Sequence, residues 1–332
     1  MYTTDRHAHC NPCRTVLASL AIWIGSLCLL SPVPAIAERL PTLTLSVLQF
    51  GTAHWELDHL KRRHLDEQHG FELDLRLVAN LPASRLALTS GTVQGAVADL
   101  LWTQSRFEAG ERFVYLPFSS QIGDVVVPRD SGIETVADLA GRRIGVAGGA
   151  DSKGWILLQR VARQQGVDLS TAQIQYAAPP LLSQALKRGQ LDAIVTYWHF
   201  AARLRGNGGM KSAIRLSELL AELSLDTDLP VLGYVFDQQW AKAHSPLLQD
   251  FAAALRQAKQ ELATETAYWF PLRPLMRNPD EPTFRELRTG FVDGTPAPLN
   301  DKRIADLRRL LTLVGGSREQ LMDAGLFYRE AW

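Results

Sequence analysis

The chain has 332 residues, with 35 basic and 35 acidic side chains and a formal net charge of zero. This balance excludes a strongly basic surface of the kind that binds nucleic acid, and it excludes an acidic tail. The length and the 46% hydrophobic content predict one large or two medium domains, each able to bury its own core.

The N-terminal segment has the layout of a secretory signal peptide. A polar start with Arg6 and Arg14 precedes an apolar run over 16–30, and Ala35-Ile36-Ala37 stands before Glu38. We therefore predict cleavage after Ala37, so that 1–37 is the signal peptide and the mature protein is periplasmic. The apolar run is too short for a typical membrane span.

All three cysteines, Cys10, Cys13 and Cys28, lie inside this segment. The mature chain is therefore expected to contain no disulfide, no thiolate nucleophile and no cysteine metal site. Leu27 precedes Cys28 where a lipoprotein signal would have a small residue, which disfavours lipidation of Cys28 without excluding it.

Strands and helices are predicted to alternate along the first hundred residues after the signal. The strands are expected at 44–49, 71–77 and 93–98. Helices are expected at 54–68, after the turn 80–84 through Leu88, and from Asp99 onward. Two further strands are predicted at 113–117 and 123–128, and the second is where the chain is expected to enter another domain.

The same alternation returns around the stretch from Val136 to Trp155. A strand over 142–146 leads into the glycine turn Gly148-Gly149 and then into a helix capped by Asp151 or Ser152. Strands at 174–177 and 191–196 flank a helix at 181–187, and 203–211 is expected to be a polar loop. A strand at 231–236 should return to the first domain, and the chain after 246 should be helical with breaks at prolines.

Repeated strand–helix–strand units predict an α/β fold with two mostly parallel sheets flanked by helices. The glycine turn has neither a G-x-G-x-x-G pattern nor a P-loop, so it is not a nucleotide-binding fingerprint. Ligands of such sheets bind outside the carboxyl ends of the strands.

Two runs carry a family resemblance, Val136-Ala-Asp-Leu-Ala-Gly-Arg-Arg-Ile-Gly-Val146 and Leu186-Lys-Arg-Gly-Gln-Leu-Asp-Ala193. They resemble periplasmic solute-binding proteins of ABC importers, of the nitrate/sulfonate/taurine type that includes thiamine-pyrimidine binders. The resemblance implies the type II, two-lobed periplasmic-binding-protein fold, with 38–126 plus 230–332 as lobe one and 127–229 as lobe two.

The resemblance also implies a function. A monomer without a cofactor would close around a small organic ligand and deliver it to a membrane permease that works with a separate ATPase. The alternative is a periplasmic accessory or sensor protein that holds a ligand for another exported protein. An enzyme is disfavoured because the mature chain has no cysteine nucleophile, no G-x-S-x-G elbow and no metal constellation.

If both sheets direct their carboxyl ends at the cleft, its lining can be predicted. The expected ligand-binding residues from the first and the returning segments are Phe50, Thr52, His54, Trp55, Asn80, Asp99, Trp102 and Tyr234. Those from the second are Gly149, Asp151, Ser152, Trp155, Tyr197, Trp198 and His199.

The chemistry of this set favours an aromatic or heterocyclic ligand, since tryptophans at strand ends can stack on a planar molecule or surround a cation. The competing interpretation is that these tryptophans are buried against the sheets. A sulfonate-like ligand remains open, with Lys153 and Arg85 as the cations within reach. The histidines from His54 to His69 recur every five residues, so successive rings point about 140° apart and cannot share a metal ion.

Overall fold

The computed structural model describes residues 39–317 and 319–331, and the predicted signal peptide lies outside these residues. Ten strands form two five-stranded sheets, with strand order β2-β1-β3-β10-β4 in the first and β7-β6-β8-β5-β9 in the second. The strands are β1 Thr42–Leu48, β2 Glu72–Val78, β3 Gly95–Asp99, β4 Phe113–Ser119, β5 Asp124–Pro128, β6 Arg143–Ala147, β7 Gln173–Ala177, β8 Ala193–Thr196, β9 Met210–Arg215 and β10 Leu232–Asp237.

Helices connect the strands and form most of the C-terminal part. They are α1 Ala53–Arg62, α2 Leu65–Gln68, α3 Leu81–Thr89, α4 Leu100–Glu108, α5 Lys153–Gln164, α6 Pro179–Lys187, α7 Trp198–Gly206, α8 Leu219–Glu222, α9 Gln238–Ala243, α10 Ser245–Thr264, α11 Glu281–Asp293 and α12 Asp301–Leu313. Across 39–317 and 319–331, no helix has the combination of length and apolarity that a membrane crossing requires.

The predicted α/β fold class is confirmed. In each sheet four strands run in one direction and one runs against them, namely β10 in the first sheet and β5 in the second. These two strands are the ones with which the chain passes between the sheets, β5 directly after β4 and β10 on the way back.

Two predicted boundaries are wrong. The helix expected over 54–68 is two helices, because His64 adopts a left-handed conformation with φ 54° that interrupts the helical hydrogen bonds. The loop expected over 203–211 is instead the end of α7 and the start of β9. Ala201, Ala202 and Leu204 are buried, so tertiary packing maintains helix α7 beyond the point that the polar sequence suggested.

A buried polar cluster joins α1, α10 and β10. The Lys259 ammonium lies 2.6 Å from a carboxylate oxygen of Glu56, and the Tyr234 hydroxyl donates to the other oxygen at 2.6 Å. Burial raises the pKa of Glu56, an effect that Lys259 partly offsets. Because removing one partner would leave the other buried and unpaired, this cluster fixes the packing of the two helices on the first sheet.

Candidate ligand-binding site

A cavity of about 130 Å³ lies between the two sheets. Its walls come from the first sheet and the loop after β1, from the crossover before β5, and from the starts of α5 and α7. The lining residues are Val47, Leu48, Gly51, Thr52, Ala53, Leu81, Val97, Phe118, Gln121, Ile122, Lys153, Tyr197, Trp198, His199 and Leu232. The carboxyl ends of β1 and β8 therefore meet at one site, as expected for ligand sites in such sheets.

Most of the cavity wall is apolar, and Lys153 is its one lysine. Lys153 is the first residue of α5, directly after the glycine turn. Burial lowers the pKa of Lys153, and the positive charge of Arg85 lowers it further, while Asp99 raises it. Among the described residues the ammonium group forms no hydrogen bond and no ion pair. A desolvated ammonium without a partner is unfavourable, so this position favours an anion.

The nearest acidic group is already engaged. Asp99 accepts a hydrogen bond from the Arg85 guanidinium at 2.7 Å and caps helix α4 by accepting from the Trp102 amide at 2.9 Å. Arg85 lies 5.2 Å from the Trp102 ring centroid, within cation–π range. Asp99 and Arg85 thus neutralise each other, and Lys153 provides the net positive charge.

The glycine turn packs against Tyr197, which lines the cavity together with Lys153. Gly148 has φ 96°, and a Cβ atom there would lie 2.9 Å from the Tyr197 hydroxyl oxygen. Burial raises the pKa of the Tyr197 hydroxyl, with Asp99 and Asp151 adding to the effect, so at neutral pH it can donate a hydrogen bond. A half-buried tyrosine and a lysine therefore face the same small space.

His199 forms another part of the wall as a neutral base. Burial lowers the pKa of His199 to about 3, and the charges of Arg203 and Arg277 contribute. The neutral imidazole can donate one hydrogen bond and accept one.

Four of the predicted ligand-binding residues line the cavity, namely Thr52, Tyr197, Trp198 and His199. The others lie elsewhere on the surface or in the core. Asn80 is exposed and caps α3, accepting from the Ala83 amide at 2.9 Å. The His54 ring contacts the Gln49 carbonyl oxygen at 2.8 Å, and Phe50 is 52% exposed beneath Arg277.

The tryptophans are placed mainly in the core. Trp55 is 1% exposed and Trp155 is 2% exposed. Trp55 packs edge-on against Trp198 and Trp269, with ring centroids 6.1 Å apart in both pairs. Trp102 is half-buried and stacks near Phe113 at 5.7 Å. Of the four, only Trp198 reaches the cavity wall.

The remaining predicted residues do not line the cavity. Gly149 and Ser152 are half-buried in the glycine turn, and Asp151 is exposed beside them. Tyr234 is fully buried, and its hydroxyl is used by Glu56. The sequence-based list omitted Lys153 and Gln121. Lys153 could have been added to that list from the sequence, because it directly follows the N-cap residue of α5.

A larger, polar cavity of about 460 Å³ shares Trp198 and Gln121 with the first. Some of its charges are paired within the wall: Arg205 contacts Asp124 and lies 2.8 Å from Glu286. Arg215 also lines this cavity and forms no ion pair among the described residues. Burial raises the pKa of Asp124, offset in part by Ser212 and Arg205. Because the smaller cavity has a mostly apolar wall and contains the buried ammonium group of Lys153, it is the candidate ligand site.

Comparison with known proteins places the chain in a family. A sequence profile described as NMT1/THI5 like matches residues 72–266, more than half of the chain. The chain belongs to the NMT1/THI5-like family. No curated protein sequence matches it significantly.

Solved structures support the same fold. The alkanesulfonate-binding protein SsuA from Xanthomonas axonopodis pv. citri, bound to MOPS, has a TM-score of 0.66 and 20% identity, over 88% of this chain and 100% of that chain. The periplasmic aliphatic sulphonate binding protein SsuA from Escherichia coli has a TM-score of 0.68 and 19% identity, over 82% of this chain and 86% of that one. The ligand-binding component of an ABC-type import system from Staphylococcus aureus has a TM-score of 0.65 and 14% identity, over 88% and 99%.

The resemblance inferred from the two sequence runs is thus confirmed at the level of family and fold. The NMT1/THI5-like match shows the family, and these neighbours, each 20% identical or less, show the fold.

Proposed function

We propose that this protein is an extracytoplasmic solute-binding protein that captures a small organic anion between its two sheets and delivers it to an ABC permease. The single observation that carries the ligand class is Lys153, a half-buried ammonium with no partner among the described residues. An anion would restore the electrostatic interactions that burial removes from this group.

The rest of the cavity defines the body of the ligand. Val47, Val97, Phe118 and Leu232 offer apolar surface, and Tyr197 and His199 offer hydrogen bonds. Sites that combine an apolar wall with a few polar groups select small organic molecules by orientation as well as by charge. An alkyl sulfonate or carboxylate fits this combination better than the planar or cationic ligand that the tryptophan pattern favoured.

The proposed location and partners follow from the relatives. The Escherichia coli neighbour is a periplasmic protein, and the Staphylococcus aureus neighbour is the ligand-binding component of an ABC-type import system. Handover to a permease and its ATPase, after export directed by the N-terminal segment, is the corresponding role for this chain.

The test is thermal unfolding with matched ligands. We expect ethanesulfonate, butanesulfonate and butyrate to raise the melting temperature, and butanol, butylamine and choline to leave it unchanged. A ligand at a hundredfold excess over its Kd stabilises the folded state by about 2.7 kcal/mol, which gives a clear shift.

Substitution of Lys153 identifies the site. Lys153→Met should weaken anion binding about tenfold or more, because it removes a charge-assisted contact. It should leave the unliganded protein at least as stable, since the unpaired buried charge is gone. Lys242→Met, an exposed lysine on α9, should bind like wild type. Stabilisation by butylamine, or full anion affinity in Lys153→Met, would contradict the proposal.

A further inference from the structure

Two arginines near the cavity have no acidic partner. Among the described residues, neither Arg203 nor Arg277 forms an ion pair. The Arg203 guanidinium donates a hydrogen bond to the Met276 carbonyl oxygen at 2.8 Å, which brings it beside Arg277. Burial and the positive charge of Arg277 both lower the pKa of Arg203. Two like charges therefore face each other, an arrangement that an anion between them would relieve.

We call Arg203 and Arg277 the rim arginines: neither lines the cavity, but each is close enough to His199 on its wall to lower the pKa of that residue. Arg203 follows His199 by four residues on α7, so the two side chains share one face of the helix about one turn apart, and His199 lines the cavity. The Arg277 guanidinium lies 4.7 Å from the centroid of the Phe50 ring. The residues after Phe50, Gly51 and Thr52, line the cavity from the other side.

The backbone holds Arg277 in an uncommon conformation. Arg277 has φ 58° and Asn278 has φ 43°, so two consecutive residues with side chains are left-handed. Asparagine tolerates this region, but arginine does so at a cost of roughly 1 kcal/mol or more. Hydrogen bonds from the amides of both residues to the Pro274 and Arg273 carbonyls maintain the turn.

Neighbouring arginines differ from the rim arginines in having partners. Arg205 lies 2.8 Å from Glu286, and Arg273 contacts Glu281. Asp280 lines a surface cavity together with Arg203, but its carboxylate caps α11 and accepts from the Thr283 amide at 3.0 Å. In the part of the chain that the structure describes, neither rim arginine forms an ion pair with these carboxylates.

We propose that the rim arginines, Arg203 and Arg277, form a second anion subsite, so that the preferred ligand carries two anionic groups separated by an apolar body. One group binds at Lys153 and the other at the rim arginines, with His199 between them on the wall. This inference rests on the proposed function for the Lys153 end and specifies the class of organic anion.

The experiment compares monoanions with dianions of equal chain length. Calorimetric titrations would use ethanesulfonate against sulfoacetate and butanesulfonate against 4-sulfobutyrate. We expect at least one dianion to bind about tenfold or more tightly than its monoanion, as the loss of a charge-assisted contact implies. Arg203→Met and Arg277→Met should each remove most of this preference and leave the monoanion affinity unchanged, whereas Arg203→Lys should retain part of it.

Arg129→Met is the matched control. Arg129 also bonds to a backbone carbonyl, that of Gly208, at 3.1 Å. Arg129 directly follows β5. The first residue of β5, Asp124, pairs with Thr196 at the cavity end of β8, so Arg129 lies at the end of the second sheet that is away from the cavity. This variant should keep the full preference for the dianion.

The possible outcomes separate the two proposals. If monoanions bind through Lys153 but no dianion binds more tightly, or if the preference survives in both rim variants, the rim subsite is refuted and the proposed function stands. If Lys153→Met changes no affinity while a rim variant removes the preference, the assignment of Lys153 fails and the rim subsite is supported. If no probe binds, both proposals fail.

Discussion

The ammonium group of Lys153, which has no ion-pair partner among residues 39–317 and 319–331, is the one lysine group in the wall of the cavity between the sheets. Asp99 is close enough to raise the pKa of Lys153, but its carboxylate is committed to Arg85 at 2.7 Å. The wall thus combines an ammonium group with apolar side chains, which is the chemistry of a site for an organic anion.

His199 supplies a prediction for pH. Its folded-state pKa of about 3 lies below the ordinary value near 6.5, so the unfolded chain binds the proton more readily. The stability that neutral His199 contributes is therefore present above about pH 6.5 and is lost as the pH falls toward 3. Urea unfolding of the unliganded protein at pH 7.5 and at pH 5 gives the free energy of unfolding at each pH. Between these two pH values, this free energy should fall by about 1 kcal/mol less in His199→Gln than in wild type, after allowance for partial exposure.

The control is His64→Asn. The His64 side chain is 68% exposed, and asparagine tolerates the left-handed backbone at this position. This variant should have the same pH dependence as wild type. An unchanged pH dependence in His199→Gln would show that His199 is not held neutral by its surroundings.

At single positions, the sequence indicated where tryptophans occur but not which way they face. Trp55 and Trp155 each follow a strand end, as a ligand-stacking residue would, yet they are 1% and 2% exposed in the core. The same local pattern serves either role, and only long-range partners such as Trp269 decide between them. The rim arginines were missed for a related reason, because Arg277 reaches Phe50 only through the tertiary fold.

Among the elements, the glycine turn before α5 has the largest effect on the site. A side chain at Gly148 is disfavoured for two reasons. The φ of 96° is left-handed, and a Cβ atom would lie only 2.9 Å from the Tyr197 hydroxyl oxygen. Gly141 also has a left-handed φ, of 70°, but nothing lies within 4 Å of its Cβ position. Substitutions at the two glycines therefore distinguish the effect of backbone strain, which both would cause, from the effect of displacing Tyr197, which only a substitution at Gly148 would cause.

Alanine substitutions at these positions test the turn. Both Gly148→Ala and Gly141→Ala should destabilise the protein by about 1 kcal/mol or more through backbone strain. Gly148→Ala alone should also weaken ligand binding severalfold, since Tyr197 must move from the cavity wall. Melting temperatures and calorimetric affinities for butanesulfonate would check this, and equal affinities in the two variants would refute a role for the turn in positioning Tyr197.

The elements themselves were largely predictable. Alternating apolar residues and glycine stops indicated the strand–helix units, and the strand returning at 231–236 is β10 of the first sheet. The sequence failed where packing overrides local preference: α7 continues through Arg203 because Ala202 and Leu204 are buried. The break at His64 was also unpredicted, since histidine is an uncommon residue at a left-handed position.

At the scale of the molecule, the two sheets are joined by a short crossover at 120–123, by a longer one at 216–231 that contains α8, and by the C-terminal helices. Ser120, in the first crossover, donates its amide to the Gly294 carbonyl at 3.0 Å, and Gln121 donates to the Gly290 carbonyl at 2.9 Å. Helix α11 packs closely on α7, where a Cβ atom at Gly290 would lie 2.8 Å from the Trp198 ring. The lobe boundaries at 126 and 230, and closure of the lobes around a ligand, remain predictions.

A crystal structure with the tightest-binding sulfonate from the titrations would test the central claim most directly. We predict that the sulfonate oxygens lie within hydrogen-bonding distance of Lys153 Nζ, and that residues from both sheets, Thr52 and Tyr197 among them, contact the ligand. A sulfonate bound away from Lys153, or contacts from one sheet only, would contradict the account.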